Sequence, residues 1–234
     1  MKPWKSKSSE AGQVSARLAL KVRGKNMREI AIVGKGDKRL FVYPLLNICK
    51  DAKRTCLITD DVSYKRLYSG YDNTEQIAEN VEINVISVMS DSPSDESLAQ
   101  LKELKEEKQE DDFDLILYVF DGYLPEGCEK AIGVLTQTKT FLGWSLDFFH
   151  EQNKEVEFAM MTMYRSDKTN AVKLHTFPWK MKHMLYLSRV EEFKMLQGIN
   201  DKGINEFLAN TFCESLDLSK EEFLKLANKK PTFS

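Results

Sequence analysis

Residues 30–41 read IAIVGKGDKRLF, an unbroken apolar run, two glycines one residue apart, and then the opening of an amphipathic stretch. Ile30–Val33 has no polar residue to face water, so it reads as a strand buried on both faces. Gly34 and Gly36 end it in a turn. Leu40–Lys50 carries apolar residues at helical spacing, although Pro44 and the β-branched Val42 work against a helix there. A strand, a glycine loop and a helix in that order can cradle an anion, because backbone N–H groups at such a turn can point at a phosphate. A working phosphate loop also ends in Gly-Lys-Ser/Thr, the lysine for the phosphates and the hydroxyl for magnesium. That triplet is missing here, and a plain tight turn is the other reading of the two glycines.

The same alternation continues outward. Thr55–Thr59, Ile83–Met89, Phe113–Phe120, Ala131–Thr136, Val156–Met163 and Val172–Phe177 read as further strands. Between and after them, the acidic stretch 91–114 reads as one face of a helix, and 141–150, 180–196, 201–214 and 219–228 read as further helices. Ser92 followed by Pro93 is the expected start of the first of these, and Ser219 with Glu222 forms a capping box for the last. The pattern predicts a doubly wound α/β domain over 27–234, a mainly parallel sheet of about seven strands with helices on both faces. In such sheets ligands sit at the carboxyl ends of the strands. The loops after Val33, Thr59, Phe120 and Met163 are therefore where chemistry is expected.

Composition sets the bounds. The chain has 234 residues, 42% of them hydrophobic and 30% charged, with 11 glycines and 6 prolines, which excludes collagen-like and wholly disordered chains. No apolar run is long enough to span a membrane, and the lysine-bearing N-terminus lacks the apolar core of a secretory signal. Cys49, Cys56, Cys128 and Cys213 make no C-x-x-C, so reduced thiols and a cytoplasmic location are expected. Net charge is −2, yet residues 1–28 hold eight Lys/Arg and only Glu10 as an acid. Residues 1–26 are read as a basic arm, either solvated or able to touch nucleic acid or an anionic membrane. The acidic run 91–114 reads as the solvated face of a helix.

The order of elements resembles the MinD/ParA family of deviant P-loop ATPases (the SIMIBI class), with CpaE/TadZ-type pilus-positioning proteins as its atypical members. That family's loop reads K-G-G-x-G-K-T, and Lys35-Gly36 are similar to its opening. Beyond them the loop departs: Asp37 and Arg39 stand where glycines belong, Leu40 where the phosphate lysine belongs, and Phe41 where the magnesium hydroxyl belongs. Thr55–Asp61 is similar to the family's second strand, with Thr59 in place of the first aspartate and Asp61 matching the second. Phe113–Val119 resembles the Walker B strand, with Val119 at the aspartate position and Asp121 two residues on. Cys128–Gln137 looks like the strand after it. Phe158–Asp167 resembles the adenine-binding segment without its Asn, and Thr176-Phe177-Pro178 resembles an I-P segment.

The resemblance implies a degenerate ATPase. Leu40 and Phe41 offer neither charge nor donor, so the groups that stabilise phosphoryl transfer are gone. Gly34, Lys35, Gly36, Lys38, Arg39, Asp61 and Asp121 are the vestigial phosphate and magnesium positions, holding ATP–Mg weakly or not at all. The family further implies a homodimer or a protein partner in a membrane-associated assembly (pilus, secretion or conjugation) or in partition, and a cytoplasmic place at the inner membrane face. Weak membrane or nucleic-acid contact is assigned to residues 1–28 or 219–230. Two alternatives stay open. One is an active ATPase with displaced ligands, chiefly Lys35 and Asp121; the other is a receiver-like domain phosphorylated at Asp121, with Asp60 and Asp61 as magnesium ligands and Thr162 as the switch hydroxyl. His150, His175 and His183 lack metal-ligand spacing, and Phe177–Tyr186 is either core or interface.

Overall fold

A computed structural model describes residues 27–64, 76–78, 80–89, 92–110, 113–136, 147–148, 156–161 and 202–228. Its strands are β1 (Arg28–Val33), β2 (Thr55–Thr59), β3 (Gln76–Ala78), β4 (Val81–Val85), β5 (Leu115–Phe120), β6 (Lys130–Thr136) and β7 (Val156–Met161). The helices are α1 (Arg39–Ala52), α2 (Asp95–Glu110), α3 (Lys202–Phe212) and α4 (Lys220–Ala227). The basic arm, the strand expected at 172–177, the helix expected at 180–196, the Phe177–Tyr186 segment, Thr162 and the three histidines lie outside the described residues.

The strands form one sheet in the order β3-β4-β2-β5-β1-β6-β7, parallel except for β3 against β4. The chain leaves β1 through α1 and returns as β2, with β5 lodged between the two. It leaves β4 through α2 and returns as β5. Each strand sends alternate side chains to opposite faces. Ile30, Ile32, Leu57, Leu115, Leu117 and Val119 join one core with α1, α3 and α4. Ala31, Val33, Cys56, Ile58, Ile116, Tyr118 and Phe120 join a second core with Leu101 of α2. β1, β2 and β5 are apolar almost throughout because both of their faces are covered.

The helices form for different local reasons. In α1, Phe41, Val42, Leu45, Leu46, Ile48 and Cys49 are all buried, a stripe that overrides Pro44 inside the helix. In α2 the start differs from the expected Ser92-Pro93 signature. The helix opens at Asp95, and the Ser94 hydroxyl accepts the N–H of Ser97, so Ser94 serves as the cap. α2 is tied down by polar contacts: Lys105 donates to Glu29 Oε2 at 2.7 Å, and the Tyr118 hydroxyl donates to the same oxygen at 3.2 Å. In α4 the capping box is present as expected, with Ser219 accepting from Glu222 N–H and the Glu222 carboxylate accepting from Ser219 N–H. None of the four cysteines forms a disulfide among the described residues. No helix there is long and apolar enough to cross a membrane.

Candidate functional site

Register places the ends of three central strands side by side. Val33 pairs with Phe120 and with Gly133, and Thr59 pairs with Val119. The loops after β1, β2 and β5 therefore meet at one end of the sheet, the end where ligands bind in this architecture.

The first loop, residues 34–38, is drawn tightly onto the sheet. Gly34 N–H donates to Phe120 O and Gly36 N–H donates to Val134 O, both at 3.2 Å. Gly34 has φ 125°, and a Cβ there would sit 2.3 Å from the Val134 carbonyl oxygen, so only glycine fits. With those N–H groups turned to the strands, the carbonyls are free to turn inward. Lys38 Nζ donates to Gly34 O at 2.7 Å, to Gly36 O at 3.4 Å and to Asp121 Oδ1 at 2.5 Å. The Lys38 side chain is 7% exposed, whereas that of Asp121 is 55% exposed. A buried ammonium needs its donors taken, and these three oxygens take them. The loop is thus lined with acceptors around a cation, the reverse of the donor-lined cradle that grips a phosphate.

Arg39 is also engaged. Its Nε donates to Asp37 Oδ1 at 2.7 Å and its guanidinium donates to Asp37 Oδ2 at 2.6 Å, while its backbone N–H donates to Asp37 Oδ1 at 3.1 Å. The Asp37 carboxylate raises the Arg39 pKa further above its usual value. Lys35 is half-buried on the loop between the two glycines. Phe41, which the resemblance set at the magnesium hydroxyl, is completely buried and packs on Phe207 of α3 with ring centroids 5.6 Å apart. Val119, at the Walker B carboxylate position, is sealed inside the sheet.

The loop after β2 completes the rim. The Thr59 hydroxyl is fully buried; it donates to Val119 O at 2.9 Å and accepts the N–H of Asp61 at 3.1 Å. Asp61 is exposed and accepts the N–H of Ser63 in a local turn. Asp60 accepts the N–H of Met89 at 2.9 Å with its Oδ2. Burial raises the Asp60 pKa and Asp121 raises it further, against the lowering pull of the Met89 N–H and Lys38. On the outer side, Tyr43 and Tyr64 meet edge to face at 5.6 Å, and burial pushes both phenols up.

The structure therefore brings together Gly34, Gly36, Lys38 and Asp121. It leaves Asp61 on a separate turn and commits Arg39 to Asp37. Sequence reasoning set Lys38 among anion-holding residues; the signal for its actual partner was weak, an Asp one residue past an all-apolar strand. Gly34 N–H, Gly36 N–H and Arg39 N–H are all donated within the protein, and Phe41 fills the core. No group of three or more His, Cys, Asp or Glu able to hold a metal ion occurs among the described residues.

The sheet order and the two-faced helix cover define a doubly wound, mainly parallel α/β fold. One solved structure shares this fold. The ParA family ATPase from Chlorobium tepidum TLS superposes with a TM-score of 0.54 at 10% identity, covering 87% of this chain and 98% of that one. The Aquifex aeolicus MinD cell division protein follows at 0.46 and 9% identity, covering 86% of this chain and 96% of that one. A LAO/AO transport system kinase scores 0.46 at 14% identity, covering 96% of this chain and 72% of that one. At these identities the likeness is one of fold. No protein-family model and no curated protein matches the chain.

Proposed function

We propose that this chain is an atypical MinD/ParA-like protein that does not hydrolyse ATP and works as a scaffold or positioning subunit through dimer or partner contacts. The machines such a protein would serve are a membrane-associated pilus, secretion or conjugation apparatus, or a partition system. The observation that carries the reading is the loop of residues 34–38, whose carbonyls close on Lys38 while its glycine N–H groups are given to β5 and β6. Catalysis of phosphoryl transfer rests on positioned charge around the γ-phosphate. Here the one buried cation of the loop already faces Asp121 and two carbonyls. Residues 1–28 and 219–230 are the proposed contacts for nucleic acid or an anionic surface.

Calorimetric titration of the full chain with ATP–Mg is expected to give no saturable heat. Micromolar binding that vanishes in Lys35→Ala would instead establish an active nucleotide site with displaced ligands. A second reading is favoured by one feature: Asp121 is exposed and carries a lysine on its carboxylate, as a phospho-accepting aspartate would. Acetyl phosphate should leave the chain unlabelled; labelling lost in Asp121→Asn would establish the receiver-like reading.

A further inference from the structure

We infer that Lys38 and Asp121 form a built-in clamp, a tethered ammonium that holds the β1–α1 loop against the end of β5 without any bound ligand. The inference deepens the reading above and rests on it, since a nucleotide in the loop would need this space.

Three observations carry it. The ammonium joins segments distant in sequence: Gly34 and Gly36 belong to the loop after β1, Asp121 follows β5, and the Lys38 carbonyl accepts the N–H groups of Phe41 and Val42 in the first turn of α1. One residue thus joins a loop and a strand end through its side chain and the helix start through its carbonyl. Next, the pair is asymmetric. Lys38 is sealed in the protein, while Asp121 has more than half of its side chain in water, so the acid is the releasable partner. Finally, the two glycines that the ammonium holds by their carbonyls are also bound through their N–H groups. With its carbonyl turned to Lys38, each of Gly34 and Gly36 turns its N–H to a strand carbonyl, Phe120 O or Val134 O. Asp60 stands close enough to feel both charges and leaves Asp121 as the direct partner of the ammonium. The bonds that order this loop come from a group of its own chain. Asp121 is accordingly a positioning residue.

Amide hydrogen exchange on the full chain tests this directly. In Asp121→Asn and Lys38→Met, the Gly34 and Gly36 amides are expected to exchange at least ~10-fold faster than in the wild type, with the Leu117 amide in the middle of β5 unchanged. Unchanged protection at Gly34 and Gly36 would overturn the clamp, and so would an equal rise at Leu117, which reports general destabilisation. Should Lys38→Met fail to fold, Asp121→Asn carries the test, because that side chain is largely solvated. Adding ATP–Mg to the wild type should leave both glycine amides unaltered. A changed exchange rate together with saturable heat would overturn the no-nucleotide reading and the clamp alike; unaltered exchange in Asp121→Asn with no heat would overturn the clamp alone.

Discussion

Helices α1 and α4 begin in opposite ways. α4 opens by the local rules, with Ser219 as cap, Glu221 and Glu222 in its first turn, and reciprocal bonds between Ser219 and Glu222. α1 opens against them. Its cap position is Lys38, in helical conformation with no side-chain cap bond, its first residue is Arg39, and its first turn holds no acid. Positive charge at a helix N-terminus opposes the helix dipole. Both helices nevertheless drive an aromatic from the first turn into the same core, Phe41 in α1 and Phe223 in α4, each fully buried. The comparison separates two jobs. Tertiary burial holds both helices in place, while the α4 terminus is met by Ser219 and Glu222; at α1 the Arg39 N–H goes to Asp37 Oδ1, and the ammonium of Lys38 at the cap position is held by Asp121 and the loop carbonyls. A helix start that breaks local rules marks a place where something other than local stability shaped the sequence.

The largest effects should come from the shared anchor. Phe41→Ala and Phe223→Ala are each expected to cost about 4 kcal/mol in urea unfolding, since each empties an aromatic-sized space in a packed core. A much smaller loss at Phe41 would show that α1 is held chiefly through its loop. Gly34→Ala should cost about 3 kcal/mol, combining a positive φ with a Cβ pressed on the Val134 carbonyl. Gly127, at φ 86° but with only Lys105 Nζ 3.7 Å from an added Cβ, should tolerate alanine better in the same assay. Ser219→Ala should cost about 1 kcal/mol and fray α4 alone, visible as lost amide protection at Glu222.

The smallest change should appear at Asp60. Its folded pKa is raised, so the folded chain binds more protons than the unfolded chain across that range, and stability falls as pH rises through it. Asp60→Asn, which keeps an acceptor for the Met89 N–H, should therefore melt slightly higher than the wild type at neutral pH. The gain should disappear in acid, where the wild-type carboxyl is protonated in both states. A gain that persists in acid would mean that charge is not its cause.

Much of the sheet was legible because buried parallel strands are apolar on both faces. β2 runs over Thr55–Thr59 as expected, and β1, β5 and β6 differ from expectation by one or two residues at their starts. β4 slips toward the N-terminus, ending at Val85 where a strand to Met89 was expected. Ile86 and Met89 are indeed buried, but the chain is already turning there, with Met89 N–H bound to Asp60. Burial without strand geometry leaves the same apolar signature. β3 had no signal at all, being three residues paired to an edge. At the site, Phe41 and Val119 are apolar and lie in the core, as residue type suggests. What fills the loop was not legible, because Lys38 and Asp121 are 83 residues apart and only the β1–β5 register makes them neighbours.

The short β3 strand has a bearing on how such a molecule can associate. It runs antiparallel to β4, spans three residues and shifts register between Gln76 and Ala78. A border this brief and irregular gives an incoming strand few N–H and C=O groups in line, the usual protection against end-on sheet growth. Among the described residues, then, β3 offers a second copy little backbone to stitch onto, which leaves β7 as the other border of the sheet.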